Sequence, residues 1–206
     1  MEKGLMVVIS GPAGSGKGTV NAQLLATGEY VYSVSATTRA PRPGEIDGVN
    51  YHYITREEFE DRLAHDGMLE HTEYCGNYYG TPRKEAEEVL ASGKNLILEI
   101  EVDGAMQIKK KFPEAILIML LPPSYAEQEK RLRGRGTETE EKILARLAQA
   151  RVELTYLPQY DYVVYNHDGG ILECAEQIRT ILRAERCAVS RHPNAIPAFF
   201  GEDERA

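Results

Sequence analysis

The chain has 206 residues, of which 42% are hydrophobic, and it carries a formal net charge of −8 at pH 7. This length suits one well-buried α/β core and leaves little room for two independent domains. The acidic balance argues against a general nucleic-acid binder, because such binding requires an excess of Lys and Arg to neutralise phosphates. No apolar stretch reaches the roughly 18 residues that a membrane span requires. We therefore expect a cytoplasmic protein with neither nucleic-acid nor membrane partners.

The first apolar run leads directly into a glycine-rich turn, and residues 6–19 read MVVISGPAGSGKGT. Glycines at this spacing permit the backbone dihedrals and the close approach that let successive N–H groups converge on phosphate oxygens, and Lys17 adds a point charge beside the outer phosphates. A helix beginning near Lys17 would direct the positive end of its dipole at the same anion. The spacing therefore predicts that the triphosphate of a nucleotide binds to Gly11, Pro12, Ala13, Gly14, Ser15, Gly16, Lys17, Gly18 and Thr19.

This phosphate loop departs from the usual pattern immediately after its lysine. Gly18 stands where Ser or Thr usually supplies a hydroxyl to Mg²⁺, and Thr19 follows one residue later. Thr19 is therefore a candidate for direct or water-mediated contact with the metal. The alternative is an ordinary strand-to-helix turn, but packing alone would hardly explain a lysine at position 17.

Apolar runs alternate with segments of helical periodicity along most of the chain. This alternation predicts an α/β fold, a parallel sheet with helices on both faces. The runs lie at residues 5–10, 31–34, 95–101, 115–121 and 162–165. Thr81-Pro82 places proline at a first helical position, and three further helix starts have capping-box spacing. The pairs are Thr55 with Glu58, Ser124 with Glu127, and Thr137 with Glu140.

Two segments interrupt the alternation. Residues 36–81 are rich in proline, glycine and tyrosine and are interpreted as a small mixed flap inserted after the second strand. Residues 126–154 bring several arginines around Gly134 and Gly136, whose backbone freedom is typical of a hinged lid. We expect one domain over 1–188, with its core formed by 1–35, 82–125 and 155–188. Residues 189–206 are expected to form a loosely ordered tail.

The strand predicted over 95–101 ends in two acidic residues. Glu99 and Glu101 would lie on one face because side chains alternate along a strand. Enzymes with a phosphate loop hold acids near Mg²⁺ at such a strand end. We place Glu99 nearer the metal and Glu101 nearer the nucleotide.

Residues 37–54 read TTRAPRPGEIDGVNYHYI, and this stretch resembles the signature of the guanylate kinase family throughout. The likeness runs from about residue 5 to 188 and includes GNYYG at 76–80, LRGRGTET at 132–139 and DYVV at 161–164. The resemblance implies a P-loop nucleoside monophosphate kinase fold. It also implies transfer of the γ-phosphoryl group of ATP to GMP, and to dGMP, with Mg²⁺ accompanying ATP. ADP and GDP are the products, and guanine nucleotide metabolism is the process served. Whether the chain is a monomer or an oligomer does not follow from the resemblance.

The phosphate of GMP is a dianion, and Arg forks hold such oxygens bidentately with better geometry than Lys can. Arg39 and Arg42 in the signature are the candidates for this contact, and the hydroxyls of Tyr51 and Tyr79 would complete the clamp.

Guanine offers two adjacent donors, N1–H and the 2-amino group, which one carboxylate can accept together while it repels the N1 acceptor of adenine. The resemblance assigns this role to Glu70, with the hydroxyls of Ser35 and Thr81 lining the same pocket. The family usually has aspartate at the position of Glu101 and glutamine at that of Asp103, so the chain departs from the family there.

Phosphoryl transfer to a phosphate needs alignment and charge neutralisation rather than a general base. Lys17 and Mg²⁺ would hold the outer phosphates of ATP, and Arg39 would reach in from the acceptor side. By family position, Arg135 and Arg146 would arrive with the lid, and Asn166 would lie beside the adenine. Arg131 and Arg151 fit a charged surface helix best and are left out of the site.

Two other functions compete with this one. Guanylate-kinase-like domains of scaffolding proteins keep the fold and bind peptides, but they characteristically have damaged phosphate loops, whereas Lys17 is intact here. A kinase for another monophosphate is the second alternative, because the Gly-Lys-Gly-Thr ending is shared with adenylate kinases.

Overall fold

Nine strands and eight α-helices follow one another along the part of the chain that the computed structural model describes, residues 3–74, 76–134, 136 and 139–201. The strands are β1 (Met6–Ser10), β2 (Tyr30–Tyr32), β3 (Ala36–Thr37), β4 (His52–Tyr53), β5 (Met68–Tyr74), β6 (Asn77–Pro82), β7 (Asn95–Leu98), β8 (Ile116–Leu121) and β9 (Tyr162–Tyr165). The helices are α1 (Lys17–Leu25), α2 (Arg56–Ala64), α3 (Arg83–Ala91), α4 (Val102–Lys111), α5 (Tyr125–Gly134), α6 (Glu140–Leu154), α7 (Ile171–Arg186) and α8 (Ala195–Phe200).

The central sheet has five parallel strands in the order β2-β7-β1-β8-β9. β1 lies in the middle, with Val8 opposite Leu98 on one side and Leu117 on the other. Because parallel strands all end at the same edge, the loops after β1, β7 and β9 meet there. The predicted parallel sheet is confirmed.

Alternate residues of β1 face opposite sides of this sheet. Val7 and Ile9 pack with buried residues of α1 and α7, whereas Met6 and Val8 pack with buried residues of α3 and α4. All four side chains are 6% exposed or less, so the strand is buried on both faces. The first strand is therefore continuously apolar from Met6 to Ile9, without alternating polar residues, because helices cover both sides of the sheet.

A second sheet lies within residues 36–82, between β2 and α3 in the chain. Its four strands have the order β4-β3-β6-β5, with β3 and β4 parallel and the other neighbours antiparallel. A small apolar cluster formed by Ala36, Phe59 and Met68 packs this sheet against α2.

The helix starts test the predicted caps. The Thr55 hydroxyl accepts the Glu58 N–H (3.1 Å), and the Ser124 hydroxyl accepts the Glu127 N–H (3.1 Å), so both of these caps are confirmed. The start of α3 was predicted one residue too early, because Pro82 still pairs with Met68 in the second sheet and the helix begins at Arg83. Thr137 lies outside the described residues, and α6 is capped by Thr139.

The end of the chain forms two short helical elements, Val189–Arg191 and α8. Arg191 donates to Glu185 (3.0 Å) and to the Glu114 carbonyl (2.9 Å), which ties the first of them to the body of the domain. Phe199 and Phe200 on α8 are exposed. Among the residues described, no helix has both the length and the apolar composition needed to cross a membrane.

Candidate active site

The phosphate loop connects β1 to α1. Gly14 and Gly16 have φ values of 86° and 90°, which only glycine adopts without strain, and Gly16 is the residue immediately before α1. A Cβ placed on Gly16 would lie 2.3 Å from Nδ2 of Asn166, so no larger residue fits there. The Lys17 ammonium turns back over the loop and donates to the Gly11 carbonyl. The loop therefore has the curled backbone and the cation that phosphate binding requires.

Two buried amide side chains brace this loop from behind. Nδ2 of Asn166 donates to the Ser15 carbonyl (2.8 Å), and Nε2 of Gln128 donates to the Ala13 carbonyl (3.0 Å). Asn166 and Gln128 are 4% and 3% exposed. No local pattern in the sequence marks Gln128, because its partner lies 115 residues away along the chain.

Arg131 belongs to the same network, so its interpretation as a charged surface residue was wrong. Its side chain is 19% exposed, and Nη2 donates to the Asn166 carbonyl (2.8 Å) and to Asp168 (2.9 Å). Nε donates to Glu127, four residues earlier on α5. That i,i+4 spacing was the only signal in the sequence. Arg151, by contrast, is exposed and lies over the Tyr125 ring.

The acidic residues after β7 do not lie as predicted. β7 ends at Leu98, so the alternation of a strand does not carry through to Glu101, which is exposed and sits immediately before α4. Glu99 is half-buried, and its Oε2 accepts from Nδ2 of Asn21 on α1 (2.8 Å). Thr19 is exposed two residues earlier on α1. Glu99 therefore contacts the buried side of α1 through Asn21, whereas Thr19 lies on an exposed side of that helix, since residues two apart do not face each other. Each supplies an oxygen of the kind that suits Mg²⁺.

In the segment that follows β3, Arg39 is held by a carboxylate that was part of the quoted signature but had no assigned role. Nη2 of Arg39 lies 3.0 Å from both carboxylate oxygens of Glu45. Glu45 also accepts from the Arg42 backbone N–H (2.7 Å) and from the Tyr53 hydroxyl (2.8 Å). These donors, the Arg42 N–H foremost, lower the pKa of Glu45 to about 2. Glu45 therefore stays ionised and fixes the position of the Arg39 guanidinium.

Three tyrosine rings surround Arg39. The Tyr51 ring packs edge-on against Tyr53 and Tyr79, at centroid distances of 5.9 and 5.8 Å. The Arg39 guanidinium lies 5.6 Å from the Tyr51 centroid. Burial raises the pKa of Tyr51, so its hydroxyl remains a donor across the physiological range. The structure thus brings together Arg39, Tyr51 and Tyr79 from separate parts of the sequence.

Glu70 is the buried carboxylate of the second sheet. It is 4% exposed, and its Oε1 accepts from the Thr81 hydroxyl (2.7 Å) on the neighbouring strand β6. Burial raises the pKa of Glu70, and the bonds from Thr81 oppose that shift. Glu70 and Thr81 therefore form one buried polar unit, and buried polar groups of this kind discriminate between ligands by their hydrogen-bond donors.

The other residues that the sequence predicts for the site are half-buried or exposed where the structure describes them. Ser35 is half-buried between β2 and β3, and its carbonyl accepts the His52 N–H (2.9 Å). Arg42 is exposed in the loop after β3, and Arg146 is exposed on α6. Arg135 lies outside the described residues.

A five-stranded parallel sheet whose central strand runs through a glycine-rich loop and a lysine into a helix defines the phosphate-binding-loop class of α/β proteins. Comparison with known proteins narrows the class. The family model described as guanylate kinase matches residues 3–185. The guanylate kinases of Halalkalibacterium halodurans and Desulfitobacterium hafniense are 50% and 49% identical over 191 residues, which is 92% of this chain and 93% and 94% of theirs.

A solved structure agrees with these relatives. The crystal structure of guanylate kinase from Anaplasma phagocytophilum matches with a TM-score of 0.73 and 36% identity, covering 93% of this chain and 90% of that one. The chain belongs to the guanylate kinase family. The family resemblance predicted from the sequence motifs is therefore confirmed.

Proposed function

We propose that this protein transfers the γ-phosphoryl group of ATP to GMP, giving ADP and GDP, and likewise to dGMP, giving ADP and dGDP. The observation that carries the proposal is the buried Glu70 carboxylate, which lies in the same small sheet as the Arg39–tyrosine cluster, in a chain whose phosphate loop is intact. The relatives that match nearly the whole chain are named guanylate kinases.

Glu70 would select the base. Guanine presents N1–H and its 2-amino group side by side, and an ionised carboxylate accepts both. Adenine presents an acceptor at N1, which would face the carboxylate and leave it unpaired in a buried place. Thr81 holds one carboxylate oxygen in place. Ser35 and Glu101 are further candidates for contacts with the nucleotide.

Arg39 and Arg42 would bind the phosphate of GMP, with the Tyr51 and Tyr79 hydroxyls completing the contact. Glu45 already orients the Arg39 guanidinium, so little side-chain entropy remains to be lost when the phosphate arrives. Arg39 would also take part in the reaction itself, because it would contact the phosphate oxygen of GMP that attacks ATP.

Lys17 and the loop from Gly11 to Thr19 would bind the outer phosphates of ATP. Mg²⁺ bound with ATP would neutralise charge on these phosphates, and Thr19 and Glu99 would hold it directly or through water. Asn166 and Gln128 keep the loop in its curled form through the Ser15 and Ala13 carbonyls.

The attacking group is already an anionic phosphate oxygen, so transfer depends on alignment and on charge neutralisation. We assign Arg135 and Arg146 to the second task, as residues of a lid over 126–154 that closes on both nucleotides. Arginines in this role accelerate related phosphoryl transfers by about 10³ to 10⁵. Closure would also keep water from competing as the acceptor. We place this activity in the cytoplasm.

The proposal is tested by a panel of nucleoside monophosphates. The protein is assayed for ADP release from ATP and Mg²⁺ with GMP, dGMP, AMP, UMP or CMP as the acceptor. We expect turnover with GMP and dGMP and little with the others. Equal rates with all acceptors would remove the role of Glu70, and no release with GMP would refute the proposed activity.

A further inference from the structure

Regular strand pairing does not extend through Glu70. β5 is the edge strand, and its pairing with β6 shifts between Met68 and His71. Across this shift, Leu69 and Glu70 together lie opposite the single residue Thr81. Bulges of this kind re-aim a side chain but leave the backbone of the bulged strand without regular ladder bonds.

Side chains of α4 supply bonds to the backbone on both sides of Glu70. Nε2 of Gln107 donates to the His71 carbonyl (2.8 Å), and Oε1 of Gln107 accepts the His71 N–H (3.1 Å). One helical turn further on, the Lys111 ammonium donates to the Leu69 carbonyl (2.9 Å). Both neighbours of Glu70 are therefore held by one face of α4.

The same face also contacts the Glu70 carboxylate itself. A Cβ placed on Gly104, three residues before Gln107, would lie 2.7 Å from Oε2 of Glu70. The α4 backbone therefore closes one side of the space around this oxygen, while Thr81 holds the other oxygen. α4 belongs to the body of the domain, since Ala105 and Ile108 pack beneath the central sheet.

We propose that Gln107 and Lys111 are positioning residues for base selection, which hold the bulged segment 69–71 so that the Glu70 carboxylate faces both donors of guanine. The proposal rests on the proposed function, in that Glu70 must be the group that reads the base. Gln107 acts on the strand edge as a neighbouring strand would, and Lys111 continues the same row of bonds. Both residues act through the backbone of β5.

The test is the ratio of dissociation constants for GMP and inosine monophosphate, measured by calorimetry without ATP. Inosine monophosphate lacks the 2-amino group, so the ratio reports how well one carboxylate meets two donors at once. We expect Gln107→Ala and Lys111→Met each to reduce the preference for GMP by roughly three- to tenfold, the effect of one or two ordinary hydrogen bonds. The affinity for ATP should not change.

Matched controls are Gln177→Ala, an exposed glutamine on α7, and Lys110→Met, the exposed neighbour of Lys111. Both should keep the wild-type ratio. If the wild type prefers GMP and both test variants keep that preference, or if affinities for GMP and ATP fall together, the positioning role is refuted. A wild-type protein that binds the two monophosphates equally would instead refute base selection by Glu70, whereas the proposed activity itself is refuted only if GMP gives no ADP release. Lys111→Met decides the matter if Gln107→Ala does not fold.

Discussion

At the scale of single residues, Glu70 is a carboxylate in a place where water does not solvate it. Only 4% of Glu70 is exposed, and its Oε1 accepts from the Thr81 hydroxyl, so little solvent is available to stabilise the ionised group. An ionised carboxyl in such a place costs free energy until donors arrive, and guanine would supply two. Selectivity and reduced stability of the free protein thus have the same physical origin.

Replacing Glu70 by glutamine tests both consequences. Since burial raises the pKa of Glu70 in the folded protein, its contribution to stability is present at low pH and is lost as the pH rises through that pKa. The free energy of unfolding of Glu70→Gln should therefore increase relative to wild type between pH 4 and pH 7, measured by urea denaturation. The variant should also bind GMP far more weakly, with its affinity for ATP kept. A constant difference in stability across this range, or equal losses for both nucleotides, would contradict the assignment.

Lys17 is the residue on which the phosphate loop depends. Lys17→Met removes the point charge beside the outer phosphates, so we expect phosphoryl transfer to be abolished while the circular dichroism spectrum stays that of the wild type. Lys94→Met, which changes an exposed lysine in the turn before β7, serves as the control and should retain full activity. Substantial turnover by Lys17→Met would show that the loop does not bind the transferred phosphate.

At the scale of elements, the turn from the phosphate loop into α1 requires glycine at position 16 but not at position 18. Gly16→Ala would force a positive φ and place a Cβ 2.3 Å from Asn166, so it should lower the melting temperature and the affinity for ATP. Gly18 lies inside α1 with open space around it, so Gly18→Ala should raise the stability of the free protein by about 0.5–1 kcal/mol. Differential scanning calorimetry of both variants checks this. Equal effects of the two substitutions would mean that the loop is not braced by Asn166.

The segment between β3 and β4 is organised by Glu45, which collects bonds from Arg39, Arg42 and Tyr53. Glu45→Gln should raise the KM for GMP about tenfold, as expected for loss of a hydrogen bond to a charged group, with the KM for ATP unchanged. Because the pKa of Glu45 is lowered to about 2, the folded segment gains from its charge at all pH values above the ordinary range of a carboxyl. The effect should therefore be constant from pH 6 to pH 9, whereas the exposed control Glu88→Gln should have none. A KM effect that varies over this range would contradict the role of Glu45.

Local features were predictable at this scale, and tertiary ones were not. The phosphate loop, the Thr55 and Ser124 caps and the five core strands follow from neighbouring residues, which the sequence displays directly. The early end of β7 at Leu98 and the burial of Arg131 depend on partners elsewhere in the chain. The Gln107–His71 bonds join residues 36 positions apart, and no periodicity or motif in the sequence predicts them.

At the scale of the whole molecule, the two candidate nucleotide sites lie on different sheets. The central sheet holds the phosphate loop at the carboxyl end of β1, and the second sheet holds Glu70 and the Arg39 cluster. The net charge of −8 leaves anion binding to these local sites, where glycine backbone, Lys17 and paired arginines offset the repulsion of the remainder. The account depends on these two sites facing one another when both nucleotides are bound.

The most direct test is a crystal structure with GMP and a non-hydrolysable ATP analogue bound together with Mg²⁺. We predict the guanine on Glu70, the triphosphate along Gly11 to Thr19, and the GMP phosphate in line with the terminal phosphate, with Arg39 between them and the α5–α6 region closed over both. Two nucleotides bound with their phosphates far apart or facing away from each other, in the closed protein, would contradict the account.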